Sequence, residues 1–340
     1  MQFSENRFEE ILPSLLQKMR LGTLAAPPDI LTGGLMHRIY AVKTSIGNYA
    51  VKHLNPGVMK RPEAAGNIRL SEAIAERLSG TVPAVAALRF DGLQLIFHAE
   101  NWFLIFPFCD GSPLFGNSLT EYHTGQVGEL LGKIHSLNLQ PDPDTSFLPF
   151  SCPVIDWERL VLDGRSRNMP WCGELEERKE ALECWNRLAA DAVEQLSAET
   201  LLSHRDLDPK NILWSGERPQ IIDWEAAGPV NPDLEFLEAL IHWCAESAAP
   251  LRKNCVRSML SGYRKHRQTR RFDWAPVIHA GYSANLQWLA WNLQCSLVPS
   301  GERNLRLSQV AQTFRELSSY ERYALELEPL LAISPMNWNN

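Results

Sequence analysis

The stretch LLSHRDLDPKNILWSGERPQIIDWE (201–225) alternates short apolar runs with polar residues that can carry chemistry. Leu201 and Leu202 close one run, Asn211–Trp214 and Gln220–Ile222 make two more, and SGERP is a turn between the last two. Asp206, Asn211 and Asp223 are thereby held at strand ends. An Asp five residues ahead of an Asn, with a second Asp closing the next strand, is what metal-assisted phosphoryl transfer needs. One carboxylate receives a hydroxyl proton, while an amide oxygen and the other carboxylate hold the cation that neutralises phosphates.

Working outward, the first third of the chain has strand character. ILTGG (31–35) and RIYAVKT (38–44) are rich in β-branched and aromatic residues, Ile46-Gly47-Asn48 is a turn, and YAVKHL (49–54) is the next strand. A helix reads from Pro62 to Gly80, with Leu70, Ile74 and Leu78 on one face. Further strands fall near 87–97 and 102–108. Beyond them, 119–138, 174–197, 233–248, 250–266, 278–296 and 303–332 show helical apolar spacing. The fold class is therefore α+β: a small antiparallel sheet lobe with one main helix (1–106), a linker (107–111) and a larger, mostly helical lobe (112–340).

Length and composition fit this division. The 340 residues suffice for two cores, and 45% hydrophobic with 21% charged residues is ordinary for a globular chain. No run is long and apolar enough for a membrane span, and MQFSENRFEE lacks the pattern of a secretory signal. Seven cysteines without C-x-x-C or zinc spacing read as free thiols in a reducing cytoplasm. The net charge of -7 speaks against a nucleic-acid binder, and the basic segment RKHRQTRR (264–271) reads as a solvated helix end. Charge is unevenly placed: residues 1–109 carry 11 Lys and Arg against 9 Asp and Glu, residues 110–340 carry 22 against 31. An acidic second part can steer a cationic small molecule.

HRDLDPKN (204–211) and IIDWE (221–225) together resemble the protein-kinase-like superfamily, and within it most the aminoglycoside phosphotransferase and choline kinase branch. The resemblance implies a bilobal kinase-like fold, ATP or GTP as phosphate donor, and Mg²⁺. Asp206 would accept the acceptor's proton, and Asn211 and Asp223 would hold metal. Ala50-Val51-Lys52 stands where kinases carry V-A-I-K; strand alternation puts Ala50, small enough to admit adenine, on the face of Lys52, which would reach the phosphates. The acid expected to pair with Lys52 is Glu72, with Glu76 as its alternative. Gly33 and Gly34 would cover phosphates, although Met36 and His37 depart from the family's hydroxyl and Asn. Pro107 and Cys109 would meet adenine through their backbones. His204 is expected to brace the loop.

Asp208 stands where protein serine kinases have a lysine, which with the absence of room for an activation loop points to a small-molecule acceptor. Asp208, Glu225, Glu235, Glu238 and Trp243 are candidates for holding it, with Trp288 and Trp291 nearby, unless the tryptophans are simply core. A cationic aminoglycoside-type acceptor comes first, choline, another amino alcohol or a sugar second, and a non-catalytic nucleotide binder third. The chain is expected to act in the cytoplasm as monomer or homodimer, without nucleic-acid or membrane partners.

Overall fold

β-Branched and aromatic residues form the first sheet near where the sequence places it. The structure is a computed structural model describing residues 5–31, 37–142, 151–245, 249–267, 274–299, 301 and 303–332. The chain packs as two units, residues 1–119 with 202–228, and residues 120–201 with 229–340. The loop 202–228, which carries the H-R-D motif, thus belongs by packing with the sheet.

In the first unit, α1 (Glu5–Lys18) precedes β1 (Asp29–Leu31), β2 (Arg38–Lys43) and β3 (Asn48–His53); α2 (Pro56–Met59) and α3 (Ala64–Leu78) lead to β4 (Ile96–His98) and β5 (Asn101–Pro107). The sheet is antiparallel in the order β1-β2-β3-β5-β4. Val51 pairs with Tyr40 on one side and Ile105 on the other, and these side chains share a core with Phe103 and the α1 residues Phe8, Leu12, Leu15 and Leu16. Phe8 stacks on Tyr40 with ring centroids 3.7 Å apart. The next residue, Lys52, pairs with Ile39 and Leu104, and therefore lies on the opposite face with Leu104 and α3's Ile68. The sheet is thus covered by two helices, α1 and α3.

The strand expected over 87–97 is much shorter. Asp91 and Gly92 both take positive φ, so the chain turns between Phe90 and Leu93, and ladder pairing starts only at Ile96. Further along, β6 (Leu201–Ser203), β7 (Ile212–Ser215), β8 (Arg218–Ile221) and β9 (Gly228–Val230) frame the loop. β7 and β8 form the expected hairpin, with Ile212 opposite Ile221. Ile221 donates to Pro83 O and accepts from Val85 N, docking this hairpin on the segment after α3. Gly111 passes the Trp214 carbonyl so closely that a Cβ there would lie 3.0 Å from its oxygen, and its φ of +154° also favours glycine.

The second unit holds α4 (Glu121–Ser136), α5 (Trp157–Ser166), α6 (Cys172–Leu196), α7 (Pro232–Cys244), α8 (Lys253–Arg264), α9 (Ala275–Ala280), α10 (Ser283–Ser296) and α11 (Arg303–Ala332). The helix expected over 278–296 is two, because the Tyr320 hydroxyl donates to Ile278 O where the α9 ladder stops. α4 and α8 meet backbone to backbone: a Cβ at Gly128 would lie 2.0 Å from Met259 O. A five-stranded antiparallel sheet together with a larger helical part is the expected fold class. Among the described residues, no helix is long and apolar enough to cross a membrane.

Candidate active site

The loop after β6 is built to fix Asp206. His204 is fully buried; its Nε2–H donates to Ile222 O at 3.0 Å, and its Nδ1 accepts the Asp206 N–H at 3.3 Å. The Trp224 indole packs edge-on against the same ring at 4.5 Å. Asp208 caps the 3-10 turn Pro209–Asn211 by accepting the Lys210 N–H at 2.8 Å. Asn211, 3% exposed, then donates from Nδ2 to Asp206 O (2.8 Å) and Asp206 Oδ2 (2.9 Å). The amide leaves Oδ1 as the atom it can offer to a cation.

Asp223 sits at the end of β8 in the left-handed region (φ 57°, ψ 61°). An L-residue held there costs on the order of 1–3 kcal/mol, a strain found at functional sites. This turn brings two carboxylates to Lys52: its Nζ donates to Asp223 Oδ1 at 2.8 Å and Glu225 Oε2 at 2.6 Å. Burial opposes the charge on Lys52, and the two carboxylates overcome it and raise its pKa. Glu225 would itself be raised by burial, but the His37 hydrogen bond and Lys52 hold its carboxyl at about 2. His37 Nδ1 accepts the Asn55 N–H at 2.9 Å, so the ring proton is on Nε2, which donates to Glu225 Oε1 at 2.8 Å.

This corrects the expected partner of Lys52. Glu72 is 3% exposed and accepts the Ala87 N–H at 2.7 Å; it makes no ion pair with Lys52. Burial pushes its carboxyl up to about 7, against the Ala87 bond and the Lys52 charge. Glu76 is paired with Arg89 at the surface. The acids on Lys52 are instead Asp223 and Glu225, the latter expected at the acceptor but bonded to Lys52 and His37.

Ala50 lies on the Lys52 face, paired with Ala41 and Phe106. Pro107 ends β5 opposite Tyr49, its carbonyl accepts a long contact from Cys109 Sγ (3.7 Å), and burial followed by Asp110 raises the Cys109 thiol. Gly33 and Gly34 lie outside the described residues. In the second unit, Glu235 is 2% exposed, with Oε2 2.8 Å from His135 Nε2; the Tyr263 hydroxyl is 2.8 Å from His135 Nδ1. Trp243 is wholly buried and Glu238 half-buried on α7. Neither Glu235 nor Trp243 presents a surface to an acceptor, because α7 is buried along nearly its whole length. Trp288 and Trp291 stack on each other at 5.0 Å and are about 40% exposed. Asn231, unremarked in the sequence, caps α7 by accepting the Asp233 and Leu234 N–H groups; its place before Pro232 was the signal.

The sequence profile of the phosphotransferase enzyme family matches residues 30–269. The chain belongs to that family. It is a phosphotransferase of the class that acts on hydroxyl groups. No curated protein matches the chain by sequence. Among solved structures, the phosphotransferase is similar to a spectinomycin phosphotransferase in complex with ADP and spectinomycin (TM-score 0.64, 15% identity, covering 93% of this chain and 95% of that one). It is similar also to a microcompartment-associated aminopropanol kinase (TM-score 0.62, 18% identity, 93% and 98% covered). A third is an amicoumacin kinase in complex with AMP-PNP, Ca²⁺ and Ami (TM-score 0.61, 12% identity, 92% of each chain covered). At these identities the likeness is one of fold.

Proposed function

We propose that this phosphotransferase moves the γ-phosphate of ATP or GTP to a hydroxyl of a small, cationic acceptor of the aminoglycoside type, in the cytoplasm. The observation that carries the reading is the joint placement of Asp206, Asn211, Asp223 and Lys52 in one unit. Asp206 is held by Asn211 and positioned to take the proton of the attacking hydroxyl. Lys52 would neutralise the nucleotide's phosphates, with Asp223 and Glu225 setting its position. The segment 107–111 would serve as the linker that meets adenine through the backbone of Pro107 and Cys109.

A divalent cation fits this donor set. Asn211 Oδ1 and the Asp223 carboxylate are hard oxygen ligands, suited to Mg²⁺. When bound, Mg²⁺ would neutralise the phosphate oxygens. Among the described residues no three His, Cys, Asp or Glu side chains form a metal centre alone, so the protein's share would be this amide and carboxylate.

An amino-alcohol acceptor is the second reading, supported by the fold shared with the aminopropanol kinase. ADP release measured over aminoglycosides, choline, ethanolamine, aminopropanol and sugars, with ATP and GTP, tests both. Turnover is expected with a cationic acceptor. Turnover only with neutral sugars would overturn the cationic assignment, and none with any acceptor, with no nucleotide bound, would overturn the kinase reading.

A further inference from the structure

Lys210 is a cation of the catalytic loop, beside Asp206, that the reading above leaves unused. Its backbone is rigid: Pro209 precedes it, Asp208 accepts its N–H, and Asn211 follows, buried and twice bonded. Its side chain is half exposed, with Nζ 3.3 Å from Asp206 Oδ1 and 3.8 Å from Asp208 Oδ2. Asp206 is therefore gripped on both oxygens, Oδ2 by the buried amide of Asn211 and Oδ1 by an ammonium on a flexible stem. The two grips differ in kind. A buried amide with two bonds stays, whereas a half-exposed lysine pair contributes little and yields to a stronger anion.

Resting on the kinase reading, we propose that Lys210 is a catalytic residue that leaves Asp206 Oδ1 for the γ-phosphoryl group when nucleotide binds. Lys52 is already assigned to the nucleotide's other phosphates, with Asp223 and Glu225 setting its position. The departure does two things together. It brings a positive charge to the transferred group, and it uncovers the oxygen that must take a proton. In the transfer, the acceptor oxygen forms the new bond to phosphorus, and the bond from phosphorus to the bridging oxygen breaks with its electron pair remaining on the nucleoside diphosphate. The acceptor's proton passes to Asp206 Oδ1. Lys210 keeps its own protons throughout and offsets the charge on the phosphoryl oxygens.

The test compares AMP-PNP, which keeps a γ-phosphate, with ADP, both with Mg²⁺, by titration calorimetry on wild type, Lys210→Met and Lys210→Arg. Lys210→Met should bind AMP-PNP about tenfold more weakly and ADP as wild type does, and kcat should fall on the order of 10²-fold, as for loss of one charge-stabilising donor. Lys210→Arg should recover most of the AMP-PNP affinity. Should Lys210→Met fail to fold, Lys210→Gln makes the same comparison. An unchanged ratio of AMP-PNP to ADP affinity overturns the proposal, as does a kcat that stays within threefold or rises, because a lysine that only blocks the base would raise the rate on removal. Wild-type protein that binds neither nucleotide overturns this proposal and the kinase reading together; a failure confined to the Lys210 variants overturns only this one.

Discussion

Among the described residues, two His–Glu pairs share a 2.8 Å separation and differ in purpose. His37–Glu225 lies in the first unit, where the Glu225 side chain keeps 37% of its surface exposed and gives its second oxygen to Lys52. His135–Glu235 lies in the second unit, sealed at 0% and 2% exposure, with Tyr263 closing the other ring nitrogen. The open pair ends on the Lys52 ammonium, which the proposed reading gives to the nucleotide's phosphates. The closed pair ties α4 to α7 and α8 and meets no solvent. Access, not residue type, separates a group that can react from one that holds helices together.

Four measurements put this contrast at risk. The largest effect is expected from Asp206→Asn, which should lower kcat by on the order of 10²–10⁴-fold and keep AMP-PNP affinity. Turnover within threefold of wild type would take Asp206 out of the mechanism. Next, His135→Ala should cost about 3–5 kcal/mol in urea unfolding, because it removes the imidazole from a buried carboxylate, without altering nucleotide affinity. His37→Ala should cost only about 1–2 kcal/mol in stability and raise the nucleotide KM. Equal stability losses would erase the distinction.

The third concerns pH. Glu72 has a folded-state pKa of about 7 against an ordinary 4.5, so the folded protein holds this proton more tightly than the unfolded chain. Its contribution therefore declines as pH rises from 4.5 to 7. Glu72→Gln removes that loss, and its advantage over wild type should grow from about pH 5 to about pH 8, up to about 3 kcal/mol at roughly 1.36 kcal/mol per pKa unit. Glu225 works the other way: held at about 2, its stabilisation is present above 4.5 and is lost as pH falls toward 2. A Glu72→Gln advantage that is flat with pH would contradict the buried, protonated state. The smallest effect is in salt. The acceptor's kcat/KM should fall from low to physiological ionic strength, since exposed charges are screened over about 8–10 Å, while the nucleotide KM moves less. A salt-independent acceptor KM would favour a neutral sugar.

The geometry of the loop around Asp206 was legible in the sequence because it is local: Asp206 and Asn211 are five residues apart, and the β7–β8 hairpin delivers Asp223 to a fixed place. The partner of Lys52 was not. Glu72 and Glu225 are both acids at sensible positions, and the choice depends on the left-handed turn at Asp223, which sequence spacing does not encode. Helix α1 was readable in principle from Phe8, Ile11, Leu12, Leu15 and Leu16, whose spacing is helical, although Pro13 lies inside it. Glu235 and Trp243 misled because α7 buries nearly all its faces, so no stripe marks an outside.

The contact between Gly128 and the Met259 carbonyl bears on how the chain can evolve. Every single-residue replacement at Gly128 forces two main chains apart, and no change of side chain at Met259 relieves it, because the obstacle is backbone. A mutational scan read only by activity would score this seam as intolerant as Asp206. Neutral drift would have to move both helices at once, so α4 and α8 should travel through descent as one inherited block while the surface around them diversifies.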